Sequence, residues 1–324
     1  MCTAVAVSVD DFYFGRTLDY ESSYNHAITI TPRNFPLPFR NRSNMHHHYA
    51  ILGVAYTPDD YPLYYDAINE YGLGMAGLNF PGNARFSKIT LDRDNVATFE
   101  FIPYILSQCK TVKEAVSHIR KINLTNVSYS KNIPPSPLHW IIADNREAIT
   151  VESTKYGVNI YENPVGVLTN NPPFPEQIRN LTNYLHLSPG LQRNTFVPET
   201  ELIPYSRGMG AMGMPGDLSS QSRFVRAVFA KTHSHWDNDE LSRVGQFFHI
   251  METVSQTKGL CEVEKNDFEI TIYTSCANAS RGIYYYTTYT NRRINAIDMN
   301  KENLDGSNII IYPLDSGEDI KWNN

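Results

Sequence analysis

The sequence predicts an α+β fold in which two packed antiparallel sheets carry helices on their outer faces. Three observations point there. Strand-like segments come in blocks separated by blocks of helical segments, which argues against alternating βαβ units. Several strand blocks are apolar on both faces, as a sheet covered on both sides requires. No linker, repeat or low-complexity tract divides the chain, so residues 1–324 are expected to form a single domain.

The first block contains "TAVAVSV", "FYFGRTLD", "AITITP" and "YAILGVAYT". All are rich in β-branched and aromatic residues and are punctuated by Gly, Pro and Asp. "LYYDAIN" and "GLGMAGLNF" follow, divided by "EYG", which suits a hairpin. The chain then turns helical. "TFEFIPYILSQC" has helical apolar spacing, and "TVKEAVSHIRKI" opens with a capping box, Thr111 with Glu114. Strands return in "LHWIIAD", "AITVEST", "GVNIYE" and "VGVLTN". Two helices, "SSQSRFVRAVFAKTHS" and "ELSRVGQFFHIMETVS", precede a last β block of "FEITIYTS", "RGIYYYTTYT", "RINAIDM" and "NIIIYPL".

Composition limits the function classes. With 41% hydrophobic and 19% charged residues, the chain reads as soluble and globular with an ample core. A net charge of −6 gives no footprint for nucleic acid or an anionic membrane. No apolar stretch approaches the ~20 residues that span a bilayer. The N-terminus lacks the parts of a secretory signal. Four cysteines, Cys2, Cys109, Cys261 and Cys276, lie too far apart for a zinc motif or a disulfide scaffold. Reduced thiols in a cytoplasmic protein are expected, with no metal and no cofactor. The run His46-His47-His48 is expected to be an exposed loop, because adjacent residues on an extended chain point in alternating directions. His139 and His249 read as satisfied core histidines.

The chemistry is concentrated at the start, "MCTAVAVSVDDFYFGRTLDY". Loss of Met1 would make Cys2 the first residue, with a thiol and a free α-amine together. A thiol is a weak nucleophile until a base takes its proton, and an α-amine titrates at about 7.7–8.0. Base and nucleophile on one residue also avoid much of the entropic cost of assembling a pair. Arg16 and Asp19 lie on or just after the second strand, which can pair with the first and come alongside Cys2. A guanidinium favours a thiolate, and a carboxylate can hold an ammonium.

These residues resemble the choloylglycine hydrolases, the bile salt hydrolases and penicillin V acylases of the N-terminal nucleophile group. "MCTA" and "FGRTLDY" carry the resemblance first. It continues in order through "NEYGLGMAGLNFPG", "LHWIIAD", "VGVLTNNP", "GMPGDLSSQSRFVRA", "QFFHI", "YTSC" and "INAIDMNKENLDG". The resemblance implies a four-layer αββα sandwich. It also implies six catalytic positions: Cys2 as nucleophile, Arg16 near the thiol, Asp19 on the α-amine, Asn79 and Asn170 at the oxyanion hole, and Arg223 completing the site. Asn79 is the bile salt hydrolase choice where penicillin V acylases commonly have Tyr. By position, Leu18, Tyr24, Pro58, Tyr65, Tyr129 and Ile133 correspond to the family's pocket lining. The implied partners are glycine- and taurine-conjugated bile salts and further copies of the chain in a homotetramer, with a segment at roughly 180–214 helping assembly.

Thr17 departs from the pattern, since bile salt hydrolases often read "GRN". It is expected to point away from Asp19 on an alternating strand. The implied activity is hydrolysis of the bile-salt amide in a bacterial cytoplasm. Penicillin V or another acyl amide is the neighbouring alternative. A catalytically silent binding protein is the alternative from another class, disfavoured because all six positions are filled.

Overall fold

The computed structural model describes residues 1–324. Fourteen strands make two large sheets. The first block gives β1 (Cys2–Val9), β2 (Asp11–Tyr20), β3 (Ala27–Thr31), β4 (Ile51–Tyr56), β5 (Leu63–Asn69) and β6 (Gly74–Asn79). The second gives β7 (Leu138–Ala143), β8 (Ala148–Thr154), β9 (Gly157–Glu162) and the two-residue β10 (Val167–Leu168). The last gives β11 (Ile270–Asn278), β12 (Ile283–Thr288), β13 (Asn291–Asp298) and β14 (Ile310–Pro313).

One sheet runs β10-β1-β2-β11-β12-β13 and the other β9-β8-β7-β6-β5-β4-β3-β14, antiparallel throughout. A short parallel pair, Asp94–Ala97 with Ile122–Thr125, lies outside both and was not expected.

Alternation along the strands explains the layers. On β7, Ile141 and Ala143 face the first sheet, whereas Trp140 and Ile142 face the other way, onto the helices α1 (Phe101–Leu106) and α2 (Val112–Ile119). Helices α4 (Ser220–His233) and α5 (Glu240–Glu252) cover the outer face of the six-stranded sheet; α3 (Phe174–Asn180) lies between β10 and α4. The result is the expected helix–sheet–sheet–helix stack. Gly74 allows the sheets to meet closely: a Cβ there would lie 2.7 Å from the Phe14 ring. No helix is long and apolar enough to cross a membrane.

The helix starts follow local chemistry. Asp239 caps α5 by accepting the Ser242 amide at 2.9 Å. Thr111 caps α2 by accepting the Glu114 amide at 3.2 Å. The Glu114 carboxylate, however, accepts from Lys110 at 2.7 Å rather than from Thr111, so only half of the expected capping box forms.

Two histidine expectations need correction. His249 lies on the solvent side of α5, its side chain 71% exposed, because the buried stripe there is carried by Val244, Phe247, Phe248 and Met251. His48 is buried and bonds the carbonyls of Tyr49 and Phe35, whereas His46 and His47 are exposed as expected.

Candidate active site

The site is built where β1, β2, β10 and α4 meet. The chain reverses between β1 and β2 at Asp10, whose φ of 54° lies in the left-handed region that Asp tolerates better than most residues. The resulting register pairs Cys2 with Leu18, Thr3 with Thr17 and Ala4 with Arg16. Directly paired residues share a face. Cys2, Leu18 and Arg16 therefore project toward the second sheet, and Thr3, Thr17 and Asp19 toward α4.

Thr17 thus corrects the expectation above. Residues two apart on a strand point the same way. Thr17 Oγ1 donates to Asp19 Oδ2 at 3.1 Å and accepts the Thr3 amide at 3.2 Å. Thr271 Oγ1 donates to the other Asp19 oxygen at 2.7 Å and accepts the Gln256 amide at 2.8 Å. Asp19 is fully buried, and these hydroxyls supply the hydrogen bonds that such a carboxylate needs.

Arg16 and Arg223 are both fully buried on opposite sides of the β1–β2 ribbon. Arg16 donates to the carbonyls of Thr17 (3.1 Å), Tyr65 (3.2 Å) and Gly77 (2.7 Å), which ties the two sheets together beneath Cys2. Burial opposes its charge, but the negative potential of Cys2, Tyr273, Asp66 and Asp19 outweighs that and raises its pKa. Burial pushes the Asp66 carboxyl up; Arg16 and the hydroxyls of Tyr273, Tyr284 and Ser275 act against it. Arg16 also leaves one guanidinium nitrogen, Nη2, without a protein partner.

Arg223 rises from the first turn of α4. It donates to the Cys2 carbonyl and to Thr3 Oγ1, both at 2.6 Å, and to Asn170 Oδ1 at 2.7 Å. Asn170 is the centre of the arrangement. Its Oδ1 also accepts the Cys2 N–H at 2.9 Å, while its Nδ2 donates to the Asn79 carbonyl at 2.7 Å. Two donors on one side and a carbonyl on the other fix which way this amide faces. Asn79 itself enters through its backbone; its side chain is half-buried and makes no hydrogen bond within the protein.

Met1 extends β1 by one residue. The Asp19 amide donates to the Met1 carbonyl at 2.9 Å, and the Met1 ammonium donates to the Asp19 carbonyl at 2.6 Å. That ammonium also forms an ion pair with the buried Glu269. In this form the Cys2 nitrogen is a peptide N–H.

A family model for linear amide C–N hydrolases of the choloylglycine hydrolase family matches residues 2–312. The chain belongs to this family. It is an amide C–N hydrolase. It is 52% identical over 316 residues to a bile salt hydrolase/transferase of Lactiplantibacillus plantarum, covering 98% of each chain. It is 39% identical to a bile salt hydrolase/transferase of Clostridium perfringens, covering 96% of each. A solved conjugated bile acid hydrolase from Clostridium perfringens superposes with a TM-score of 0.92 at 36% identity, over 100% of both chains. A penicillin V acylase from Agrobacterium tumefaciens shares the fold, with a TM-score of 0.76 at 18% identity over 98% of this chain and 95% of that one.

Within this choloylglycine-family fold the expected pocket residues fall into two groups. Leu18 lies opposite Cys2, and Tyr65 and Tyr24 flank His26, with ring centroids 4.6 and 6.2 Å away. Pro58, Tyr129 and Ile133 gather separately: the Tyr129 hydroxyl donates to the Pro58 carbonyl at 3.0 Å and its amide to the Ile133 carbonyl at 3.1 Å. No hydrogen bond or ring contact joins the groups. A cleft of about 520 Å³ opens beside Asn171 and Ser220, but it has no apolar wall and does not suit a steroid.

Several groups that shape the site were not singled out from sequence. Thr3, Thr271, Glu269 and Ser220 (whose Oγ accepts the Asn170 amide at 2.8 Å) are all ordinary polar residues in strand or helix-start contexts. The strand register marks Thr3 and Thr271, whereas Glu269 and Ser220 lie outside it, just before β11 and at the start of α4. For Thr3 the alternation along β1 already carried that signal, since it shares a face with Thr17.

Proposed function

We propose that this protein hydrolyses the amide bond of glycine- and taurine-conjugated bile salts, with Cys2 as an N-terminal nucleophile. The observation that carries the proposal is the position of the Cys2 nitrogen, held by Asn170 Oδ1 and one residue away from Asp19 on the paired strand. The identity to bile salt hydrolases along nearly the whole chain supports the substrate class.

Removal of Met1 converts that nitrogen into an amine at the same place. The amine takes the thiol proton, and the thiolate attacks the amide carbonyl. Negative charge then develops on the carbonyl oxygen. Asn170 has a second Nδ2 proton beyond the one given to Asn79, and Asn79 has a free side-chain amide; both are assigned to that oxygen. The ammonium gives its proton to the departing glycine or taurine nitrogen as the C–N bond breaks, leaving a thioester. Water, deprotonated by the same amine, attacks the thioester and releases the bile acid and the thiol. Asp19 and Arg223 hold the amine and the Cys2 carbonyl in place, and Arg16 supplies positive potential beneath the thiol.

Residues 1–324, less Met1, act in this account as one catalytic unit without cofactor or metal. The steroid is assigned to Leu18, Tyr24 and Tyr65 on one side and Pro58, Tyr129 and Ile133 on the other. A homotetramer in the bacterial cytoplasm completes the proposal. It is supported by the exposed apolar residues Leu185, Phe196, Ile203 and Tyr205 in the segment expected to help assembly.

The test is release of glycine and taurine from glycocholate and taurocholate, run beside penicillin V under saturating conditions. The conjugates should turn over well and penicillin V poorly. Comparable or faster cleavage of penicillin V would assign the chain to the acylase side of the family.

A further inference from the structure

We propose that His139 is a positioning residue that sets the spacing between Asn79 and Asn170. The inference rests on the assignment of those two side chains to the developing oxyanion. His139 is fully buried at the start of β7, where its ring contacts the residue after Asn79 and the residue before Asn170.

Its ring has three partners. Its flat face stacks on Phe80, the residue after Asn79, with centroids 4.3 Å apart and planes 4° from parallel. Nε2 donates to the carbonyl of Thr169, the residue before Asn170, at 2.9 Å. Nδ1 is hydrogen-bonded to Glu152 Oε1 at 3.1 Å, and the same carboxylate oxygen accepts the Phe174 amide at 2.9 Å. His139 and Glu152 therefore grip the chain on both sides of Asn170, at Thr169 and at Phe174. The stack on Phe80 ties that grip to Asn79.

The need for such a device follows from the topology. Asn79 ends β6 of the eight-stranded sheet, whereas Asn170 follows the two-residue edge strand β10 of the other sheet. No ladder hydrogen bonds run between the sheets, so their relative position at this end rests on side chains. The direct bond from Asn170 Nδ2 to the Asn79 carbonyl fixes one distance. Asn171 Nδ2 adds a second on the outer side, donating to the Pro81 carbonyl at 2.8 Å, and the ring of His139 braces the same two segments from the buried side, at Phe80 and Thr169. A planar ring with nitrogens at opposite edges can stack and bond in two directions at once; Leu, Phe or Gln can do only part of this. Oxyanion stabilisation is sensitive to such geometry, because a donor displaced by about 1 Å costs on the order of a hundredfold in rate.

The experiment compares His139→Leu, Phe80→Leu and Glu152→Gln with Asn79→Ala and Asn170→Ala, all with Met1 removed. Each variant is assayed as the folded fraction isolated by gel filtration and checked by its thermal unfolding transition, so loss of folded protein does not register as loss of rate. His139→Leu should lower kcat per site by roughly tenfold to a hundredfold while KM stays within about threefold. Phe80→Leu, which keeps both hydrogen bonds, and Glu152→Gln, which keeps an acceptor, should fall between it and the parent, and either one alone carries the test if His139→Leu does not fold. If the two asparagine variants lose kcat but the His139, Phe80 and Glu152 variants keep it, His139 is a core residue only and the inference is overturned. If the asparagine variants themselves keep full kcat, the oxyanion assignment fails first and takes the inference with it.

Discussion

Thr17 and Asp19 share one face of β2, and the Thr17 hydroxyl bridges the Thr3 amide to the Asp19 carboxylate, over 3.2 and 3.1 Å. With Asp19 assigned to the α-amine as proposed above, this contact makes residue 17 part of that support. Thr17→Val keeps the shape and removes the donor, leaving a fully buried carboxylate with one bond fewer at a cost of about 1–2 kcal/mol. Expressed in the transition state, that is a kcat lower by roughly tenfold. Thr17→Ser should keep most of the activity. Steady-state kinetics on the pair checks this, and equal kcat for Val and Thr would remove Thr17 from the site.

Thiol reactivity should be ordered by environment. Burial pushes Cys109 up to about 12 and Cys276 well above the usual thiol range, so neither should react near neutral pH. Cys261 is partly exposed and is the only competitor for Cys2. Iodoacetamide should abolish activity in step with one modified peptide, the N-terminal one. Full turnover after mapped modification of Cys2 would end its assignment as nucleophile. Cys2→Ser should bind bile salts but turn over slower by orders of magnitude, since a hydroxyl is far harder to ionise.

Acid should weaken the fold through His26. Burial, with the Arg16 charge adding to it, lowers the His26 pKa to about 4 from an ordinary 6.5. The unfolded chain then binds a proton that the folded one refuses between those values. Stability is full above about pH 6.5 and is lost as the pH falls toward 4, by roughly 3 kcal/mol at most. Urea unfolding at pH 7 and pH 4.5 should show this loss in the parent and a much smaller one in His26→Asn. Equal losses would place the acid sensitivity elsewhere.

The layered fold was legible because strand blocks apolar on both faces have few other ways to be buried. Cys2, Arg16 and Asp19 were legible as neighbours because two consecutive strands pair in a tight hairpin. Which face each residue takes was a matter of parity, and Thr17 was misjudged on that count alone. Other parts depended on contacts distant in sequence. Glu269 meets Met1, and Thr271 meets Asp19, through the β2–β11 pairing. His249 falls on the wet side of a helix whose apolar neighbours made it look buried. The short parallel pair after β6 involves "INLT", which carries too few residues to register as a strand.

If the α-amine of Cys2 is the base, blocking it should stop turnover. With Met1 in place the Cys2 nitrogen is an amide donating to Asn170, and the Met1 ammonium bonds the Asp19 carbonyl and pairs with Glu269 instead. An amide nitrogen has no basic lone pair, so this form should be folded but inactive. The decisive measurement is intact mass together with taurocholate hydrolysis, for protein with Met1 or a short tag retained and for the same protein cleaved to expose Cys2. The extended form should show activity near zero, a thermal midpoint within a few degrees of the cleaved one, and recovery of turnover on cleavage. An extended form of confirmed mass with full turnover would contradict that role of the amine.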